Sequence, residues 1–194
     1  MSKKDAYVNS VRLFDPENAW NSPSITKSSE SVAPPLYYAS LTGFIEAVRL
    51  LLENGADVNA PGEGYYGNAL QAASAGGHDQ IVQRLLEDGA DANAQGRRYG
   101  TALQTASSGG HDQIVQRLLE NGADVNAQGG GYYGTALQAA SAGGHDQVVQ
   151  RLLENGADVN ARGGEYGSAL QAASYGGHDQ IVQRLLEKVT SLSS

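Results

Sequence analysis

Ala69-Leu70-Gln71-Ala72-Ala73-Ser74-Ala75-Gly76-Gly77-His78-Asp79-Gln80-Ile81-Val82-Gln83-Arg84-Leu85-Leu86-Glu87 decides the architecture, because the chain repeats it. The same string, with small changes, begins again at Ala102, Ala136 and Ala169. A divergent earlier copy runs from Pro35-Leu36-Tyr37-Tyr38-Ala39-Ser40 through Gly43-Phe44 to Val48-Arg49-Leu50-Leu51-Leu52-Glu53. Aligned on Leu36, Leu70, Leu103, Leu137 and Leu170, the copies are spaced 34, 33, 34 and 33 residues apart. A fixed period in this range is the mark of a stacked-repeat architecture.

Each copy reads as two short helices and a turn. The first begins near Asn68, a good N-cap. Thr101 with Gln104, Thr135 with Gln138 and Ser168 with Gln171 have capping-box spacing, a hydroxyl at the cap and Gln three residues on. The Gly-Gly pair ends this helix and turns the chain. The second helix starts near His78-Asp79, where Asp79 complements the positive end of the helix dipole. Ile81, Val82, Leu85 and Leu86 then form an apolar stripe at helical spacing, with Leu85 and Leu86 expected to meet both neighbouring copies. Gly89 ends the helix. After every copy but the last comes Gly-Ala-Asp-Val/Ala-Asn-Ala, starting at Gly55, Gly89, Gly122 and Gly156. A Gly- and Tyr-rich loop leads into the next copy. One such unit is too small to bury both helices, so the units must stack.

This pattern resembles the ankyrin repeat, whose usual unit reads Thr-Pro-Leu-His, then Gly-His, Val-Val, Leu-Leu and Gly-Ala-Asp-Val-Asn-Ala. The likeness covers residues 35–186. It implies an all-α ankyrin-repeat solenoid, helix-turn-helix units joined by short β-hairpin-like loops. The chain departs from the pattern in three places. Gln71, Gln104, Gln138 and Gln171 replace the usual His, Ala replaces the Pro in the four later copies, and Tyr66, Tyr99, Tyr133 and Tyr166 stand where the loop usually has Gly. The implied organisation is an N-terminal linker or cap over residues 1–34, five repeats at about 35–66, 67–99, 100–133, 134–166 and 167–188, and a tail over 189–194.

Residues 1–34 are not a repeat. Val11-Arg12-Leu13-Phe14-Asp15-Pro16 and Ala19-Trp20, followed by Pro34-Pro35-Leu36, resemble the segment that joins a NACHT-type nucleotide-binding domain to ankyrin repeats in fungal NOD-like receptors. Near-identical repeat copies are also typical of that group. Leu13, Phe14 and Trp20 are expected to cover the apolar side of the first unit, and residues 22–31 read as a flexible, Ser-rich stretch.

Composition narrows the function. The 194-residue chain has a formal net charge of −8, and no basic run interrupts it. That argues against phosphate-driven nucleic-acid binding and against docking on anionic membranes. The absence of Cys removes disulfides, thiolate nucleophiles and cysteine zinc sites. The polar N-terminus has no signal-peptide core, so a cytoplasmic location is expected.

Candidate chemistry is repeated rather than unique. His78, His111, His145 and His178 recur once per unit, and ligands of one zinc ion must all lie about 2 Å from it. Side chains on successive units, roughly a helix diameter apart, do not meet that demand. A turn-stabilising hydrogen bond is the expected role. Asp57, Asp91, Asp124 and Asp158 recur with Asn two places on, a spacing that favours local Asx turns. Acid–base catalysis needs two unlike carboxylate environments. Gly129-Gly130-Gly131 lacks the Lys-Ser/Thr of a phosphate loop. No catalytic residue, metal or cofactor is expected.

The copies differ from one another in two zones. One is the loop tip, at Glu63-Gly64-Tyr65-Tyr66, Arg97-Arg98-Tyr99, Gly131-Tyr132-Tyr133 and Glu165-Tyr166; the other is the end of the first helix, at Ala75, Ser108, Ala142 and Tyr175. In ankyrin proteins these zones line the concave groove. Tyr gives large contact area at low entropic cost, and Arg is a frequent interface anchor. The tyrosines equally suit a structural ladder along the stack, and both roles can hold together. The expected function is recognition of a protein or peptide partner on the concave face, by a monomer, as the sensor repeats of a fungal NOD-like receptor. The alternative is a self-associating scaffold with no external ligand.

Overall fold

The computed structural model describes residues 34–62, 65–96, 98–129 and 132–191. Among them the chain forms ten helices in five pairs. The pairs are α1 (Pro35–Leu41) with α2 (Ile45–Glu53), α3 (Ala69–Ala75) with α4 (Asp79–Glu87), and α5 (Ala102–Ser108) with α6 (Asp112–Glu120). They continue with α7 (Ala136–Gly143) and α8 (Asp146–Glu154), then α9 (Ala169–Gly176) and α10 (Asp179–Ser191). Helices this short are marginal alone in water. They persist because each buries its apolar side against the pairs before and after it.

The core is one continuous seam along the stack. Val48, Val82, Val115 and Val149 from the second helices and Ala39, Ala73, Ala106, Ala140 and Ala173 from the first are all fully buried in it. The Ala-Ser segments let the first helices pack closely, while the second helices touch their counterparts sparsely. The first helices thus form the more closely packed side of the stack. The close approach has a cost: the hydroxyls of Ser40, Ser74, Ser107 and Ser141 are buried without a hydrogen-bond partner.

The N-caps fall where the sequence places them. Asn68, Thr101 and Thr135 each form a complete capping box with Gln71, Gln104 and Gln138. At Ser168 only half of the expected box exists: the hydroxyl accepts from Gln171 N at 3.2 Å, but the return bond is missing. The Ser168 N–H donates instead to Tyr166 O at 2.9 Å. Gln171 is exposed, and among the described residues no following loop lies over it to fix its amide.

Three further expectations need adjustment. Leu85 is fully buried, whereas Leu86 is only partly so, because the second Leu of the pair lies at the rim of the seam. The tail does not begin at residue 189: α10 runs on to Ser191, and Val189 packs against the core. The loops are closed like hairpins, but the described residues contain no strand. Backbone bonds from Gly96 N to Gly100 O (2.9 Å), Gly129 N to Gly134 O (2.7 Å) and Gly163 N to Gly167 O (3.0 Å) close them, and Gly62 N bonds Gly67 O likewise. One antiparallel bridge, between Gly163 and Gly167, is all that remains of a β-ladder. The closed tips hold four, three, four and three residues in turn, which accounts for the alternating repeat length. Leu13, Phe14, Trp20 and residues 22–31 lie outside the described residues.

No helix among the described residues is long and apolar enough to cross a membrane.

Candidate functional site

Four sets of polar bonds, repeated from junction to junction, set the register of the stack. The first uses the histidines. Nε2 of His78 lies 3.0 Å from Leu41 O, that of His111 3.3 Å from Ala75 O, that of His145 2.9 Å from Ser108 O, and that of His178 3.2 Å from Ala142 O. A carbonyl only accepts, so Nε2 carries the hydrogen. The expected hydrogen-bonding role holds, but the bond ties each unit to the preceding one rather than closing a local turn. Each ring lies against glycines of its own and the preceding unit: a Cβ at Gly43 or Gly76 would overlap His78, and one at Gly77 or Gly109 would overlap His111.

The second set uses the glutamines. In Gln104, Oε1 accepts from Thr101 N at 2.5 Å, while Nε2 donates to Ala127 O at 3.1 Å and Gly134 O at 2.7 Å in the next loop. Gln71 and Gln138 do the same in their units. One side chain therefore caps its own helix and carries the loop above it. In the first unit Tyr37 occupies the corresponding place and packs under Gly62.

The third set is the Asp-Asn loop. Asp91 Oδ1 accepts from Asn93 N at 2.9 Å, the expected Asx turn. Asn93 then crosses to the next unit, donating to Gly122 O at 2.9 Å and accepting from Asp124 N at 2.8 Å. These carboxylates are occupied in holding backbone, which agrees with their structural reading.

The fourth set was not anticipated from the sequence. Arg117 binds Asp79, Arg151 binds Asp112 and Arg184 binds Asp146, each through two parallel bonds between 2.7 and 3.1 Å. The Arg151 guanidinium lowers the pKa of Asp112, and Asp112 raises that of Arg151; Asp79 does the same for Arg117. The signal was present as an Asp opening the second helix of every unit after the first and an Arg five residues later. Arg84 is the exception: Ile45 stands where the preceding Asp should be, and Arg84 pairs with Asp88 in its own turn.

With the stacking register fixed, the repeated loop tyrosines and several of the variable positions meet on one face. Tyr66 and Tyr99 stack with ring centres 5.3 Å apart. Tyr99 then meets Tyr132 at 6.3 Å and Tyr133 at 6.0 Å, Tyr132 meets Tyr166 at 6.3 Å, and Tyr166 meets Tyr175 at 5.9 Å. The Arg98 guanidinium lies 5.7 Å from the Tyr65 ring centre and 6.0 Å from that of Tyr99. The Tyr133 hydroxyl accepts from Ser108 Oγ at 2.7 Å. That bond joins the two variable zones, because Tyr133 belongs to a loop tip and Ser108 to the end of α5. A hydrogen bond with Tyr166, reinforced by Glu165, raises the pKa of Tyr132. Ala75 and Ala142 end their helices partly exposed, and Tyr175 is 85% exposed. Arg97 lies outside the described residues.

Among the described residues the face is an aromatic strip with hydroxyls and the Arg98 guanidinium on a closely packed helical floor. It offers stacking area, hydroxyl donors and acceptors, and a guanidinium. Among its described residues there is no nucleophile–base pair. Among the described residues no group of three or more His, Cys, Asp or Glu comes close enough to hold a metal ion. An open hollow on the opposite side, between α8 and α10, is lined by Gln150, Glu154, Arg184, Glu187 and Lys188. Arg184 there is paired with Asp146 and Gln150 donates to Glu154, and this solvated polar surface does not stand out as a site.

Comparison with known families agrees with this geometry. Residues 33–63 match the family model for the ankyrin repeat, residues 61–129 the one for ankyrin repeats in three copies, and residues 137–186 the one for ankyrin repeats in many copies. No curated protein matches the chain. Ankyrin repeats generally serve as protein–protein interaction modules, and no catalytic family is indicated. From the period, the ten paired helices and these matches together, the chain belongs to the ankyrin-repeat family.

Proposed function

We propose that the tyrosine strip on the concave face is the surface by which this protein recognises a segment of a partner protein. One observation carries the reading. The positions that differ among otherwise near-identical units, Tyr65, Arg98, Tyr132 and Tyr175, lie against the tyrosine that every loop repeats, Tyr66, Tyr99, Tyr133 and Tyr166, and together they form one connected strip rather than a scatter. Rigid aromatic rings already held by neighbours lose little entropy when a partner arrives. Net charge of −8 favours a neutral or basic partner over nucleic acid or an anionic membrane.

In this reading the repeats are the sensor of a larger cytoplasmic receptor of the fungal NOD-like type, a role supported by the character of residues 1–34. A peptide library displayed on phage and selected against the full chain tests it. Selected peptides should compete with one another and lose binding when Arg98 and Tyr99 are replaced by Ala. Failure to enrich any peptide, with a light-scattering mass that rises with concentration, favours the self-associating scaffold.

A further inference from the structure

At each later junction two side chains face the preceding unit: the His before the second helix and the Arg at its sixth position. His145 and Arg151 are one such pair, reaching Ser108 O and Asp112. In the first unit the same positions hold Phe44 and Leu50. With no unit before them they are 63% and 46% exposed, which puts both among the exposed large hydrophobic residues of the stack. The end face is therefore apolar at two positions where later units carry His and Arg, although terminal units of stacked repeats normally need a polar outer side.

We propose that this face is the docking site of the chain's own residues 11–20, with Leu13, Phe14 and Trp20 packing over Phe44 and Leu50. Three observations select that occupant. The segment is tethered at Pro34, directly before α1, so its local concentration at the face is of millimolar order. Thirteen residues lie between Trp20 and Pro34, enough to span about 45 Å when extended and so to cross the face of one unit. A second copy stacked head to tail does not fit. The far face of the stack ends on Asp179 and the exposed Gln171, the same polar groups that mate with Arg and with loop carbonyls inside the stack. It would meet Leu50 with a carboxylate.

Trp20 is the only Trp, so its fluorescence reports this contact alone. Acrylamide quenching of the full-length native chain should be at least about threefold weaker than in urea, and emission should be blue-shifted. The double substitution Phe44→Ser with Leu50→Gln should raise quenching to near the urea value while the helical circular dichroism of the repeats persists. Phe14→Ser, outside the stack, should do the same in part. Trp20 quenched as readily in the native chain as in urea overturns the proposal. So does protection that the double substitution leaves intact, or protection lost on dilution, which would assign the contact to a second molecule. None of these results depends on the partner-binding reading of the concave face.

Discussion

Arg151 holds Asp112 across the junction of the third and fourth units at two points, Nε to Oδ1 and Nη2 to Oδ2, both at 2.7 Å. The pair is about 28% exposed on each side, so solvent screens it and its contribution is modest, about 0.5–1 kcal/mol. Asp112→Asn should lower urea-unfolding stability at pH 7 by about that amount. The pH dependence follows from the lowered pKa of Asp112. A carboxylate held below its unfolded value of about 3.9 contributes fully above that value and loses its contribution as pH falls below it. The gap between the native chain and Asp112→Asn should therefore persist from pH 7 to 5 and close below about pH 3.5. A gap that widens in acid would contradict the assignment.

The contrast between this pair and the helices marks what the sequence could tell. Period, helix pairs and caps were legible because each depends on neighbours a few residues apart, as Asn68 and Gln71 do. The Arg–Asp pairs join residues 38 or 39 positions apart and exist only once the stacking register is known. The same holds for Gln104 reaching Gly134 O and for His145 reaching Ser108 O. Their residue types were conspicuous, but the chain alone does not say which neighbour they face. The tyrosines were legible as a surface zone. That Tyr133 crosses to Ser108 and so joins the two variable zones was not, since it depends on how the inner helices pack.

Gln104 and Gln171 occupy the same position in different units and should behave differently. Gln104 is buried and bridges to the next loop, so Gln104→Ala leaves several backbone groups unpaired and should cost roughly 2–3 kcal/mol. Gln171 is exposed with no loop above it among the described residues, and Gln171→Ala should change stability by less than about 0.5 kcal/mol. Chemical denaturation of the two variants checks the pair. Equal losses would mean that the bridging bonds contribute nothing.

Gly110 and Gly177 share a left-handed backbone, φ +71° and +72°. A Cβ at Gly110 would lie 2.5 Å from His145 Nδ1, whereas one at Gly177 meets nothing within 4 Å. Gly177→Ala should cost about 1 kcal/mol from the backbone alone. Gly110→Ala should cost at least about 2 kcal/mol, because it also displaces the imidazole from Ser108 O. Thermal melts showing the reverse order would remove the histidine from its place in the register.

Ser107 is buried with its hydroxyl unpaired. Removing a buried, unsatisfied polar group without enlarging the side chain relieves a desolvation cost. Ser107→Ala should raise stability by about 0.5–1 kcal/mol in urea unfolding. A loss of stability would show that the hydroxyl has a partner.

The most direct test concerns the tyrosine strip. Once a partner peptide has been selected, its affinity should be measured by titration calorimetry for the native chain, for Tyr99→Ala on the concave face, and for Gln116→Ala on the exposed outer face of α6. Binding at the strip predicts that Tyr99→Ala weakens affinity by about tenfold or more, equivalent to about 1.4 kcal/mol, with helical content unchanged. Gln116→Ala should leave affinity as it was. Undiminished binding by Tyr99→Ala, or a loss confined to Gln116→Ala, would place the partner on another face of the stack.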